Sequence, residues 1–130
     1  MQLSSLESSK LIDRINELLI KEKNIKAIRL LNKIIKDNPL NYEAWLLQGI
    51  AKRRVNMLSE AIKCFKTATD IDSKKEEAWG LYTITLIDNG RLEEAREIIE
   101  KASRLNPLNI KLLFYKENLI HVYEKFGPFF

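Results

Sequence analysis

Apolar residues recur along the chain at three- and four-residue spacing, the period that lines the faces of packed helices. In "YEAWLLQGIAKRR" (42–54) and "EEAWGLYTITLID" (76–88) they spread widely enough to predict helices packed on two sides. "DNG" at Asp88–Gly90 marks a turn, after which "RLEEAREIIEKASRL" resumes the helical pattern. The chain therefore predicts pairs of helices joined by tight turns.

The pairs repeat. "NPLN" occurs at 38–41 and again at 106–109, a separation of 68 residues, which is two periods of 34. Trp45 recurs as Trp79, Ala61 as Ala95 and Ala68 as Ala102, and one period earlier stand Leu11, Ala27 and Ile34. Phe65 is in register with Leu31 and Ile99. Proline lacks an N–H and restricts its predecessor, so "NPLN" reads as the joint between repeats, with Asn41 and Asn109 capping the helices that follow. The middle joint has no proline; there "SKKE" (Ser73 to Glu76) predicts a capping box. Repeats fall at about 8–41, 42–75 and 76–109, followed by a helix over 110–126. One such pair cannot bury its apolar face alone, so neighbouring pairs are expected to stack into a solenoid.

The pattern Trp-x-x-x-Gly…Ala-x-x-x-Phe-x-x-Ala…Pro on this period resembles the tetratricopeptide repeat. It stands as Trp45, Gly49, Ala61, Phe65 and Ala68, then as Trp79, Gly90, Ala95, Ile99, Ala102 and Pro107. A weaker copy uses Leu11, Leu18, Ala27, Leu31, Ile34 and Pro39. Lys52, Thr83 and Asn24 depart from the pattern, replacing an aromatic, a small glycine and an apolar residue. The resemblance implies an all-α, right-handed α-solenoid of three helix pairs plus a C-terminal capping helix, within one domain spanning 1–130. It also implies a protein–protein interaction module, which holds a partner's peptide or helix against a concave wall built by the first helix of every pair. Carried onto this chain, the wall contains Ile12 and Asn16, then Leu46, Ile50 and Arg53, then Ile84, then Phe114. One subfamily grips chaperone C-terminal carboxylates with Lys, Asn and Arg. The matching positions here are Ile12, Asn16, Leu47, Glu77 and Leu81, and only Asn16 fits, so that clamp is not expected.

Composition narrows the class. The 130 residues are 45% hydrophobic and 31% charged, with four Gly, three Pro and one Cys, which suits a soluble helical protein in a reducing, cytoplasmic setting. The opening "MQLSSLESSK" carries no signal-peptide pattern, and no apolar run is long enough to span a membrane. Catalytic chemistry finds few candidates. His121 is the only histidine, Cys64 lies in register with Leu30 and Ile98 as a small hydrophobe, and the glycines form no phosphate loop. No enzyme, cofactor or metal is expected.

Two features stand apart from the repeat. "KRR" (Lys52, Arg53, Arg54) replaces the aliphatic Leu18, Leu19 and Ile20 of the first repeat. Such cations suit a partner's carboxylates or phosphates, or pair internally, for instance Arg54 with Asp88. The end "FGPFF" places Phe129 and Phe130 after a Gly-Pro break, where they fold back on the last helix or enter the groove of a second copy. The first alternative to an adaptor is therefore a homo-oligomer whose groove holds its own tail. The second is a basic nucleic-acid-associated protein, since residues 1–75 carry a charge of +6 against −3 over 76–109. Nucleic acid is disfavoured, because no aromatic residues interleave with the basic ones.

Overall fold

The 34-residue register governs the backbone as well as the side chains. A computed structural model describes residues 2–126, and seven helices follow one another along it. They are α1 (Ser5–Ile20), α2 (Asn24–Asp37), α3 (Tyr42–Arg54), α4 (Leu58–Ile71), α5 (Glu76–Asp88), α6 (Leu92–Leu105) and α7 (Ile110–Phe126), with no strand among the described residues. The expected Phe129 and Phe130 contacts lie outside the described residues.

Among the described residues three adopt the left-handed region, Glu22 (φ 58°), Asn56 (φ 63°) and Gly90 (φ 74°), one in the turn of each pair. The following N–H reaches back to the helix in all three turns: Lys23 to Leu18, Met57 to Lys52 and Arg91 to Leu86, each 2.8 Å from N to O. The left-handed residue's own N–H closes the inner bond, to Leu19, Arg53 and Ile87. This pairing of 6→1 and 5→2 bonds is the Schellman ending, which satisfies carbonyls left free at a helix C-terminus. Only the third turn spends a glycine on it.

The helix starts are less uniform. Asn41 and Asn109 cap as expected, their Oδ1 accepting from the N–H of Ala44 (3.0 Å) and Leu112 (3.1 Å). "SKKE" does not form a box. Helix α5 begins at Glu76, its N-cap is Lys75, and no side chain of its own caps it. Instead the Ser73 carbonyl accepts from Trp79 Nε1 (2.8 Å) and Asn106 Nδ2 (2.9 Å), which holds Ser73 outside the helix. The Trp45 indole makes the equivalent bond six residues back, to the Pro39 carbonyl (2.7 Å). A capping box does exist at the chain's first helix, where Ser4 and Glu7 exchange side-chain-to-backbone bonds.

Helices α2, α4 and α6 each bury one stripe, and the stripes coincide in register: Ala27, Ala61 and Ala95; Leu31, Phe65 and Ile99; Ile34, Ala68 and Ala102. Small residues let the helices approach, and the large one between them fills the space. Helices α3 and α5 are buried on two sides, against the pair before and the second helix of their own. Gly49 packs closely under Phe65, since a Cβ there would lie 2.5 Å from Phe65 Cε1. Thr83 takes the same register position in the third pair, and its buried hydroxyl donates to the Trp79 carbonyl (2.9 Å).

Two stability changes follow from this packing. Gly49→Ala gains about 1 kcal/mol of helix propensity, yet overpacks a fully buried ring at a cost of about 1–3 kcal/mol. The expected net loss is roughly 1 kcal/mol, read as a lower urea midpoint at unchanged slope. Glu22→Gly relieves a left-handed non-glycine residue and is expected to raise the same midpoint by about 1 kcal/mol of stability.

Candidate functional site

The first residues of α3 and α5 are each tied to the start of the next inner helix. Tyr42 opens α3, and its hydroxyl accepts from the Ala78 N–H at 3.3 Å, in the uncapped first turn of α5. Burial pushes the Tyr42 phenol pKa up, so the hydroxyl stays neutral. Lys75 lies over the same ring, 4.6 Å from its centroid. One period on, Glu76 opens α5, accepts from Asn109 Nδ2 and pairs with Lys111 Nζ at 3.1 Å. The Asn109 bond first, and then Lys111, hold the Glu76 carboxyl below the usual carboxylate range; the Glu76 bond raises Lys111.

These ties leave two open depressions along the wall formed by α3, α5 and α7. One, of about 580 Å³, lies between α3 and α5 over Tyr42 and Leu46, with Glu43, Lys74 and Lys75 at its edge. The other, of about 340 Å³, lies between α5 and α7 over Gly80, Leu81, Ile84 and Tyr115, with Lys111 beside it. Glu76 and Glu77 border both. Glu76 is held by Asn109 and Lys111, whereas Glu77 is exposed and makes no ion pair among the described residues. A free carboxylate therefore stands between two partly apolar hollows. Gly80 lets α7 come close, since a Cβ there would lie 3.1 Å from the Tyr115 ring.

Of the residues expected on this wall, Leu46 and Ile84 line the depressions. Ile12, Asn16 and Ile50 are half-buried, and Ile12 and Ile50 pack against the core. Phe114 is 62% exposed and stands next to Tyr115, which lines the second depression. The two rings meet at 60° with centroids 6.3 Å apart. Residues spaced as 77, 80, 81 and 84 share one helix face, so Leu81 was readable from α5 alone. Tyr115 was readable only by its register with Leu81.

The cationic run is engaged internally, with a different pairing from the one expected. Arg53, not Arg54, reaches Asp88, at 2.6 Å between Nη2 and Oδ2. Position 53 shares the face of Leu46 and Ile50 that turns toward α5, whereas Arg54 turns toward the end of α1 and donates to the Leu19 carbonyl at 2.8 Å. A cation there offsets the partial negative charge of the helix terminus. Lys52 pairs with Glu60 at 3.3 Å. Cys64 is buried and burial raises its thiol pKa, the state of an inert structural cysteine. Among the described residues no cluster of His, Cys, Asp and Glu has metal-site geometry, and no helix is long and apolar enough to cross a membrane.

The Glu76–Lys111 tie carries a pH signature. Glu76 is lowered in the fold, so its contribution is complete at neutral pH and is lost as pH falls through the carboxylate range. Lys111 is raised, so its share survives until pH climbs through the ammonium range. Glu76→Gln is expected to flatten the acid side of the stability–pH curve, measured by urea titration at a series of pH values.

Comparison with known proteins agrees with this geometry. The Tetratricopeptide repeat family model matches residues 54–113. The signal recognition particle subunit SRP72 of Dictyostelium discoideum is 28% identical over 128 residues, covering 93% of this chain. The chain spans 18% of that protein's length. Among solved structures, the Sgt2 TPR domain from Aspergillus fumigatus superposes with a TM-score of 0.81 at 21% identity, over 98% of this chain and 85% of that one. The first TPR of Spaghetti (RPAP3), bound to the HSP90 peptide SRMEEVD, gives 0.79 at 18% identity, over 95% and 98%. The Yersinia enterocolitica secretion chaperone SycD, in complex with a peptide of the translocator YopD, gives 0.80 at 15% identity, over 96% and 95%. Residues 54–113 are thus similar to the tetratricopeptide repeat, and the superpositions show that the chain has the fold of tetratricopeptide-repeat domains.

Proposed function

We propose that this chain is a non-enzymatic interaction module that holds a segment of another protein along the wall of α3, α5 and α7. The observation that carries this reading is Glu77, a carboxylate that makes no ion pair among the described residues and borders two partly apolar hollows. A segment that fits places a Lys or Arg on Glu77, an aliphatic residue over Leu46 and another over Leu81 and Ile84. Ile12 and Asn16 on α1 and Ile50 on α3 stand in the register of Leu46 and Ile84, and extend the proposed wall toward the first pair. Arg53 and Arg54, already engaged by Asp88 and Leu19, orient a ligand only at the edge of that wall. Phe114 stands just beyond Tyr115, at its far end.

Relatives of the same fold support peptide holding, since two of them are seen with a bound peptide. The resemblance to SRP72, by its name a subunit of a larger particle, supports a role inside an assembly. A cytoplasmic setting suits the single, buried Cys64. The acidic tail seen with the RPAP3 domain is a poor ligand here, because Glu77 and Leu81 occupy positions where the clamp resemblance calls for polar or cationic side chains. Like charges at a binding site disfavour the wrong partner by several kcal/mol at most, roughly enough to exclude it.

Panning a random peptide library against the full chain tests this reading. The expected enrichment is a basic residue flanked by aliphatic ones, lost on Glu77→Lys and on Leu81→Asp. Enrichment of acidic C-terminal tails, or enrichment indifferent to both substitutions, would overturn it.

A further inference from the structure

The joints between pairs follow one capping rule and break it once. Asn41, Lys75 and Asn109 stand in the same register, each as the last residue before an inner helix. Asn41 and Asn109 cap α3 and α7 by accepting from the N–H three residues on. Lys75 offers no acceptor, and in α5 the equivalent N–H, that of Ala78, donates instead to the Tyr42 hydroxyl. Tyr42 thus supplies, from the neighbouring pair, the cap that position 75 gives up. A local rule broken in one repeat and compensated from another points to a different task for the residue that breaks it.

That task is visible in the contacts of Lys75. Its ammonium lies over the Tyr42 ring, 4.6 Å from the centroid, and makes no ion pair among the described residues. The bond to Ala78 holds the phenol in place, at the edge of the hollow between α3 and α5. Glu43 and Glu77, both exposed and without an ion pair among the described residues, border the same hollow beside Leu46. An aromatic face flanked by carboxylates attracts a cation by its quadrupole and by their charge. Here the chain's own lysine lies on that face.

We propose that the Tyr42 ring, with Glu43 and Glu77 beside it, is the subsite for a partner's Lys or Arg, and that Lys75 is a tethered stand-in which the partner's cation displaces. The inference rests on the reading of the wall as a peptide site, and adds which surface takes the cation and what competes for it. A partner's side chain binds only in the fraction of molecules whose ring is free, so Lys75 lowers the apparent affinity for every cation and favours segments that also cover Leu46.

Nuclear magnetic resonance on the full chain tests this, with Nα-acetyl-arginine amide as the probe and its neutral isostere Nα-acetyl-citrulline amide as the control. In the free chain the Tyr42 ring current is expected to move the Lys75 Hε protons upfield of their position in Tyr42→Leu. The arginine probe is expected to return them saturably toward that position, and the citrulline control to leave them in place. Lys75→Gln is expected to tighten the arginine probe about threefold to sixfold, followed on the Glu77 and Ala78 amides, as removal of an exposed cation–π competitor should. Lys75→Arg keeps a cation over the ring and is expected to bind as weakly as the parent chain. Tyr42→Phe, which keeps the face without the hydroxyl, is expected to retain binding, whereas Tyr42→Leu and Glu77→Gln each weaken it. Circular dichroism melts check that each variant is folded. Lys75 protons indifferent to Tyr42→Leu, arginine binding indifferent to Lys75→Gln, or citrulline binding equal to arginine overturns the proposal. So does the absence of saturable arginine binding to Lys75→Gln. Peptide panning that fails while arginine still displaces Lys75 removes the peptide wall alone. Panning that succeeds with an affinity indifferent to Lys75→Gln removes the stand-in alone.

Discussion

The contact between a large residue on each second helix and the small or branched residue beneath it sets the geometry of the stack. In the middle pair Phe65 rests on Gly49 with no room for a methyl group. Leu31 and Ile99 stand in the register of Phe65, and Ile15 and Thr83 in that of Gly49, and every one of these second-helix residues is fully buried. The size traded across the contact keeps the interior filled while the identities change. Alanines one turn before it, at 27, 61 and 95, allow the close approach that makes the contact possible.

With the pairs fixed, their stacking is set by a few polar bonds rather than by apolar area alone. The indoles of Trp45 and Trp79 bind the joint carbonyls six residues back, and Asn106 adds a second donor to Ser73. Tyr42 and Glu76 reach from the start of one inner helix to the start of the next. Each of these groups satisfies a backbone or side-chain partner that the joint would otherwise leave unpaired. The same bonds shape the wall, because they hold the inner helices apart at their N-terminal ends and leave the hollows between them. Structure and candidate function share those residues.

The cationic run at 52–54 is engaged by the fold. Lys52, Arg53 and Arg54 look like a ligand site because they replace aliphatic residues, yet each has a partner within the chain. Glu76 and Lys111 are also matched. Against that background Glu77, which borders both depressions and makes no ion pair among the described residues, is the carboxylate placed to meet a cation from elsewhere.

The sequence by itself determined the period, the helix pairs, the turn at Gly90 and the residues of the core stripe. These depend on local spacing and on burial that repeats every 34 positions, and both are written in order along the chain. The inner wall was reached only through the resemblance, carried by register from helix to helix; Leu46 and Ile84 border depressions, and on α7 the residue that does so is Tyr115, next to Phe114. The tertiary structure decided what local pattern does not encode. Ser73 lost its capping role because its carbonyl was claimed by Trp79 and Asn106, one of them 33 residues away. Arg53 rather than Arg54 met Asp88 because the rotation of α3 against α5 selects which side chain faces the partner. Those outcomes follow from distances between helices, which no single stretch of the chain contains.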